Sequence, residues 1–181
     1  MASTGAKLVT SYTTGATMLA TNPTNVYADD TNYATLTSTS RNENDVLGYW
    51  HTFALGIPVG STITQIVVVG VCRIGESSIT SAGWGVLLYH TGTTAVGSEA
   101  TTATGTANTD YTATQTISSS FPTVAQLNTD GDSGLRIRAR VYTGNTPTSR
   151  TWSLDYLQVT VTYDAPVTAP PPWFGSRGSM W

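Results

Sequence analysis

The chain has 181 residues, a formal net charge of -3, a hydrophobic fraction of 39% and a charged fraction of 10%, well under the roughly 25% of an average globular chain. That length fits one domain of ordinary size with flexible ends and argues against two full domains. The net charge and the single lysine, Lys7, argue against a nucleic-acid binder that works by neutralising phosphates.

The N-terminal stretch is Thr, Ser, Ala and Gly with scattered single hydrophobes. It lacks a continuous apolar run of signal-peptide length, and no stretch of the chain approaches a membrane span. The expectation is a protein neither secreted by that route nor embedded. Residues 1–25 show no sustained period of 3.6 or 2 and read as an extended arm or an edge segment. The abundant threonine favours strands, since a β-branched side chain suits a pleated, half-wet surface. A first strand is predicted at 33–38 (YATLTS), followed by a polar loop, RNENDV. A second follows at 48–56 (GYWHTFALG), with Tyr49, His51, Phe53 and Leu55 on one face and Trp50, Thr52 and Ala54 on the other.

A Pro-x-Gly turn at Pro58 to Gly60 feeds a long run from Ile63 to Ile74, apolar on both faces in the middle and therefore predicted to be a central strand. Cys72 lies within it. One cysteine excludes an internal disulfide, and its place in an alternating apolar run predicts a buried thiol in a chain that folds in a reducing cytoplasm. Residues 83–92 (GWGVLLYHTG) supply the next strand, and the Thr-rich stretch after it holds one or two exposed strands. Pro122 breaks the pattern, with a single helical turn expected near Val124 to Leu127. Residues 135–144 alternate strictly, with Leu135, Ile137, Ala139 and Val141 inward and Arg136, Arg138, Arg140 and Tyr142 outward. The last strand is 151–163, with Leu157, Val159, Val161 and Tyr163 on one face and Trp152, Leu154, Tyr156 and Gln158 on the other.

About eight short strands between Gly, Pro, Asn and Asp turns, with no convincing amphipathic helix, predict an all-β antiparallel sandwich. A jelly roll is the first choice of topology, with an immunoglobulin-like sandwich as the alternative. The expected division is an arm at 1–25, the sandwich at 26–164, and a Pro-rich arm at 165–181. In that last arm Pro170, Pro171 and Pro172 impose an extended path, and Trp173, Phe174, Met180 and Trp181 are too few to bury one another. A docking role on a partner is expected for them; a disordered tail and a cloning remnant in GSRGS are the alternatives.

No nucleophile elbow, metalloprotease helix, phosphate loop or Cys-x-x-Cys pair occurs, and the chain is expected to be neither an enzyme nor a cofactor binder. His51 and His90 read as strand residues with one side wet. Asn128, Asp130 and Asp132 place oxygens at alternate positions as in a calcium loop, but Ser133 stands where the EF-hand needs glycine and Ala139 where it needs glutamate. A solvated turn is the expectation there, and a turn or cap at Asp29 and Asp30.

Arg136, Arg138 and Arg140 are the sharpest charged feature. Three like charges about 7 Å apart on one strand face repel one another and call for nearby acids or an anionic partner. Asp155 is available to pair with one of them if the two segments are neighbours. Trp50 and Trp84 are candidates for a glycan platform, with Trp152 a further one, against the plainer reading of a strand Trp as core.

The segments NVYADDTNYATLT, IPVGSTITQIVVVGV, LRIRARV and WSLDYLQVTVTY together resemble a family of phage virion structural domains, the jelly-roll-like sandwich modules of head decoration and minor tail proteins. The resemblance covers about residues 22–163 and implies a structural role in a virus particle. On that basis the chain is expected to be a capsid decoration protein made in the host cytoplasm, lying on the outer surface of the virion. Its expected partners are the major capsid protein and copies of itself, with a trimer as the candidate assembly, and with no nucleic acid and no membrane. A tail- or fibre-associated protein and a carbohydrate-binding adhesion module are the alternatives.

Overall fold

The computed structural model describes residues 1–13, 20–38, 44–75, 82–91, 93–131, 133–142 and 150–167. Its strands are β1 (Ala2–Ser3), β2 (Lys7–Leu8), β3 (Ser11–Thr13), β4 (Ala34–Ser38), β5 (Asn44–His51), β6 (Thr62–Ile74), β7 (Ala82–His90), β8 (Thr94–Ala95), β9 (Ala100–Thr104), β10 (Asp110–Ile117), β11 (Arg136–Tyr142) and β12 (Arg150–Asp164). A 3-10 turn, Pro23–Tyr27, precedes β4, and the one-turn helix α1 (Val124–Leu127) follows β10 as predicted. Thr123 and Gln126 close α1 with a reciprocal capping box.

Two antiparallel sheets form a sandwich. One has the order β4-β12-β6-β10 and the other β5-β11-β7-β9. The pairs β4 with β12, β5 with β11, β6 with β10 and β7 with β9 are nested like the two halves of one long hairpin, with successive pairs placed in alternate sheets. That nesting is the jelly roll, and it rules out the immunoglobulin-like alternative.

The inner faces bury a continuous core. Leu135, Ile137, Ala139 and Val141 are all fully buried, as the strict alternation of that segment predicts. Trp50, Trp84 and Trp152 are also fully buried. Each removes about 200 Å² from water, worth roughly 5 kcal/mol of transfer free energy before the opposing entropy. Burial raises the Cys72 thiol well above its ordinary range, as expected for a packing residue.

Four expectations are changed by the fold. The first 13 residues are an edge segment rather than a free arm: β1 and β2 pair with β12, and β3 pairs with β5, so the segment touches both sheets. The Thr-rich stretch yields three strands, β8, β9 and β10. The strand expected at 48–56 begins earlier and ends at His51, because Thr52 and Ala54 adopt left-handed backbone at φ 66° and 48°. That turn reverses the alternation, so Trp50, Phe53, Leu55 and Ile57 all point into the core. In β12 the register slips between Leu154 and Leu157. The bulge lets Trp152 and Leu154 share the core face with Leu157, Val159 and Val161, which the sequence reading had placed opposite.

Candidate partner-binding face

The outer face of the β5-β11-β7 sheet is built on the alternation of β11. Each inward residue between them sends Arg136, Arg138, Arg140 and Tyr142 to the other side. Cross-strand register places Arg136 between His51 and Tyr89, and Arg138 between Tyr49 and Leu87. The guanidiniums lie over aromatic rings: Arg136 is 3.9 Å from the Tyr49 centroid, Arg138 5.3 Å from Tyr89, and Arg140 4.9 Å from Tyr142. Such stacking stabilises each cation by about 0.5–2 kcal/mol and fixes its plane.

A single acid serves two of the three arginines. Glu99 accepts from Arg138 Nη2 at 3.1 Å and from Arg140 Nη2 in a shorter contact. The side chains are largely enclosed, at 12% exposure for Glu99, 17% for Arg138 and 26% for Arg140. Burial works against the Arg140 charge, but the Tyr142 hydroxyl and Glu99 outweigh it and its pKa is raised. The Nε atoms of Arg138 and Arg140 are buried with no hydrogen-bond partner among the described residues.

Glu99 is held in place from the opposite sheet. Residues 96–99 bulge away from β7 between β8 and β9, and Gln115 of β10 fills the gap in the ladder. Its Oε1 accepts from the Leu88 N–H at 2.9 Å, and its Nε2 donates to the Val96 and Ser98 carbonyls at 2.7 and 2.8 Å. The next residue after Ser98 is therefore delivered over the arginines. Gly83 and Gly85 keep the adjoining surface low: a Cβ on Gly85 would sit 2.8 Å from the Ala100 carbonyl oxygen and 3.0 Å from the Tyr142 hydroxyl. Beside them runs an open groove of about 230 Å³ lined by Ala82, Gly83, Thr101, Thr102, Ala103 and Tyr142.

The remaining sequence candidates fall elsewhere. Asp155 does not pair with the arginines, because β12 belongs to the other sheet. Trp50 and Trp84 are not a glycan platform: both are fully buried, with their indole N–H groups donating to the carbonyls of Pro23 and Tyr111. Asn128 and Asp130 are clamps rather than calcium ligands. The Asn128 side chain accepts from the Ile57 N–H and donates to its carbonyl, while Asp130 Oδ1 accepts from the N–H groups of Phe53 and Ala54, pinning the left-handed turn. Asp132, and the docking residues Pro170, Pro171, Pro172, Trp173, Phe174, Met180 and Trp181, lie outside the described residues. His51 is tied through its two ring nitrogens to the hydroxyls of Thr13 and Thr52.

Glu99 and Gln115 were missed by the sequence reading. The available signal was isolation, since Glu99 is the only acid between Glu76 and Asp110.

No protein-family description matches the chain, and no curated protein does. Among solved structures it is similar to a chain described as "CBM4 structure and function", at 13% identity and a TM-score of 0.46, covering 75% of this chain and 87% of that one. It is also similar to chains of infectious bursal disease virus strains Gt and Gx, at 17% and 16% identity with TM-scores of 0.39 and 0.40. These alignments take in 76% and 86% of this chain but only 36% and 33% of the viral ones, so it spans about a third of their length.

Proposed function

We propose that the protein is a non-enzymatic structural component of a virus particle, a decoration protein that docks an acidic surface of a neighbouring subunit onto the arginine face. The observation that carries the docking role is the ladder Arg136, Arg138 and Arg140, three stacked guanidiniums of which Arg138 and Arg140 share Glu99. Two of these cations, Arg138 and Arg140, share a single carboxylate on a chain whose net charge is -3. Carboxylates of a partner complement the guanidiniums, and rigid, pre-oriented guanidiniums lose little entropy on binding them. The particle itself is supported by the resemblance of residues 22–163 to virion sandwich domains. The mechanism is mechanical: each copy bridges shell subunits and raises the free energy needed to separate them. Changing all three arginines to glutamine weakens particle binding in a salt-dependent way; binding that is unchanged across a salt titration refutes the reading.

The groove beside Tyr142 favours a second reading, adhesion to a glycan. A tyrosine wall above a glycine floor suits the stacking of a sugar ring. A glycan array on the wild type and on Tyr142→Ala distinguishes the two: loss of a specific glycan signal in the variant supports adhesion, and an empty array supports protein docking.

A further inference from the structure

On the opposite sheet, the bulge in β12 has a consequence of its own. It leaves Asp155 outside the regular pairing with β6 and turns it towards the turn that precedes β4. The residue is 6% exposed, and its Oδ1 atom has no hydrogen-bond partner among the described residues. The Asp30 backbone N–H helps hold the charge, but the surroundings oppose it: desolvation first, then the carboxylates of Asp29, Asp110 and Asp30, push the carboxyl up to about 6. The nearby cation, Arg73, is engaged by both oxygens of Asp110 and lies 4.2 Å from the Tyr33 ring centroid. Asp30 turns its own carboxylate back to cap Asn32. Asp29 is exposed beside this turn.

We propose that Asp155 and Asp29 bind a calcium ion at the seam between the β12 bulge and the turn at 28–31. A buried carboxylate oxygen without a donor, facing further negative charge, is stabilised by a hard divalent cation. Among the described residues no three His, Cys, Asp or Glu side chains form a ready ligand set. Two carboxylates with main-chain carbonyls and water suit calcium, which accepts six to eight oxygens in loose geometry, and do not suit zinc, which asks for nitrogen or sulfur ligands in a tight tetrahedron. This site differs from the Asn128–Asp130 clamp, whose oxygens are already engaged by backbone N–H groups.

The test is terbium binding to the full chain stripped with a chelator. Tyr33 and Tyr156 lie within electrostatic reach of Asp155, so a bound terbium ion is sensitised by tyrosine excitation and displaced by calcium. Wild-type protein is expected to show calcium-displaceable luminescence and a rise in melting temperature with millimolar calcium. Asp155→Asn and Asp29→Asn are each expected to weaken binding by about tenfold or more; Asp29 is exposed, so its variant keeps the fold even if the other does not. Luminescence that calcium does not displace, or variants that both bind like wild type, overturns the proposal.

Discussion

Replacing Glu99 with glutamine separates stability from binding on the arginine face. The substitution keeps the size of the side chain and removes the one negative charge that two guanidiniums share. Breaking a fully buried pair by removing one partner costs about 3–5 kcal/mol, and an exposed pair contributes about 0–1 kcal/mol. With side-chain exposures of 12%, 17% and 26% the expected loss lies between these, at about 2 kcal/mol. Urea unfolding is the assay, with a lower midpoint and an unchanged m-value as the expected signature. The same change makes the face more positive by one charge, so affinity for an acidic partner is expected to increase and to become more sensitive to salt. A stability change below about 0.5 kcal/mol, or weaker binding to the particle, refutes the view that Glu99 is an internal counterion standing where a partner's acid would sit.

Gln115→Ala should leave the Leu88 N–H and two carbonyls without partners and destabilise the fold by about 2–4 kcal/mol, read by the same urea melts. It should also release Glu99, so its salt-dependent binding should shift in the direction of Glu99→Gln. Asp130→Ala removes the acceptor that pins Thr52 to Ala54 in left-handed backbone and should cost about 1–3 kcal/mol while leaving the calcium response intact. For Asp155 the folded carboxyl, at about 6, lies above its unfolded value of about 3.9, so the folded state takes up the proton first. In calcium-free buffer the penalty of about 3 kcal/mol is therefore fully present above pH 6 and is relieved as pH falls towards 4. The stability difference between wild type and Asp155→Asn should change over that window; a flat difference contradicts the burial of a charged carboxylate.

The sandwich was legible because its strands carry their own alternation. In β11 every second residue is apolar and buried, and nothing in its environment competes with that period. The two facing errors have local causes. At Thr52 and Ala54 the left-handed backbone is imposed by Asp130, more than seventy residues away, and no short-range pattern encodes it. The β12 bulge did leave a trace: the apolar positions switch from even, Trp152 and Leu154, to odd, Leu157 and Val159, across an aspartate. The arginine ladder was visible as a strand face, whereas its counterion was not, since Glu99 reaches it only through the gap that Gln115 fills from the other sheet. Of the two readings of the tryptophans the plainer one, core, holds, although glycines flanking Trp84 suggest exposure. In the fold those glycines lie on the outer face and the indole lies in the core.

The proposed role requires the protein to be bound in many copies to a particle. Quantitative mass spectrometry of purified particles measures it directly. Copies on the order of hundreds per particle are expected, as repeated shell positions require, released by salt and lost with the triple glutamine variant of Arg136, Arg138 and Arg140. Particles that carry none of the protein, or only a handful of copies that resist salt, contradict it.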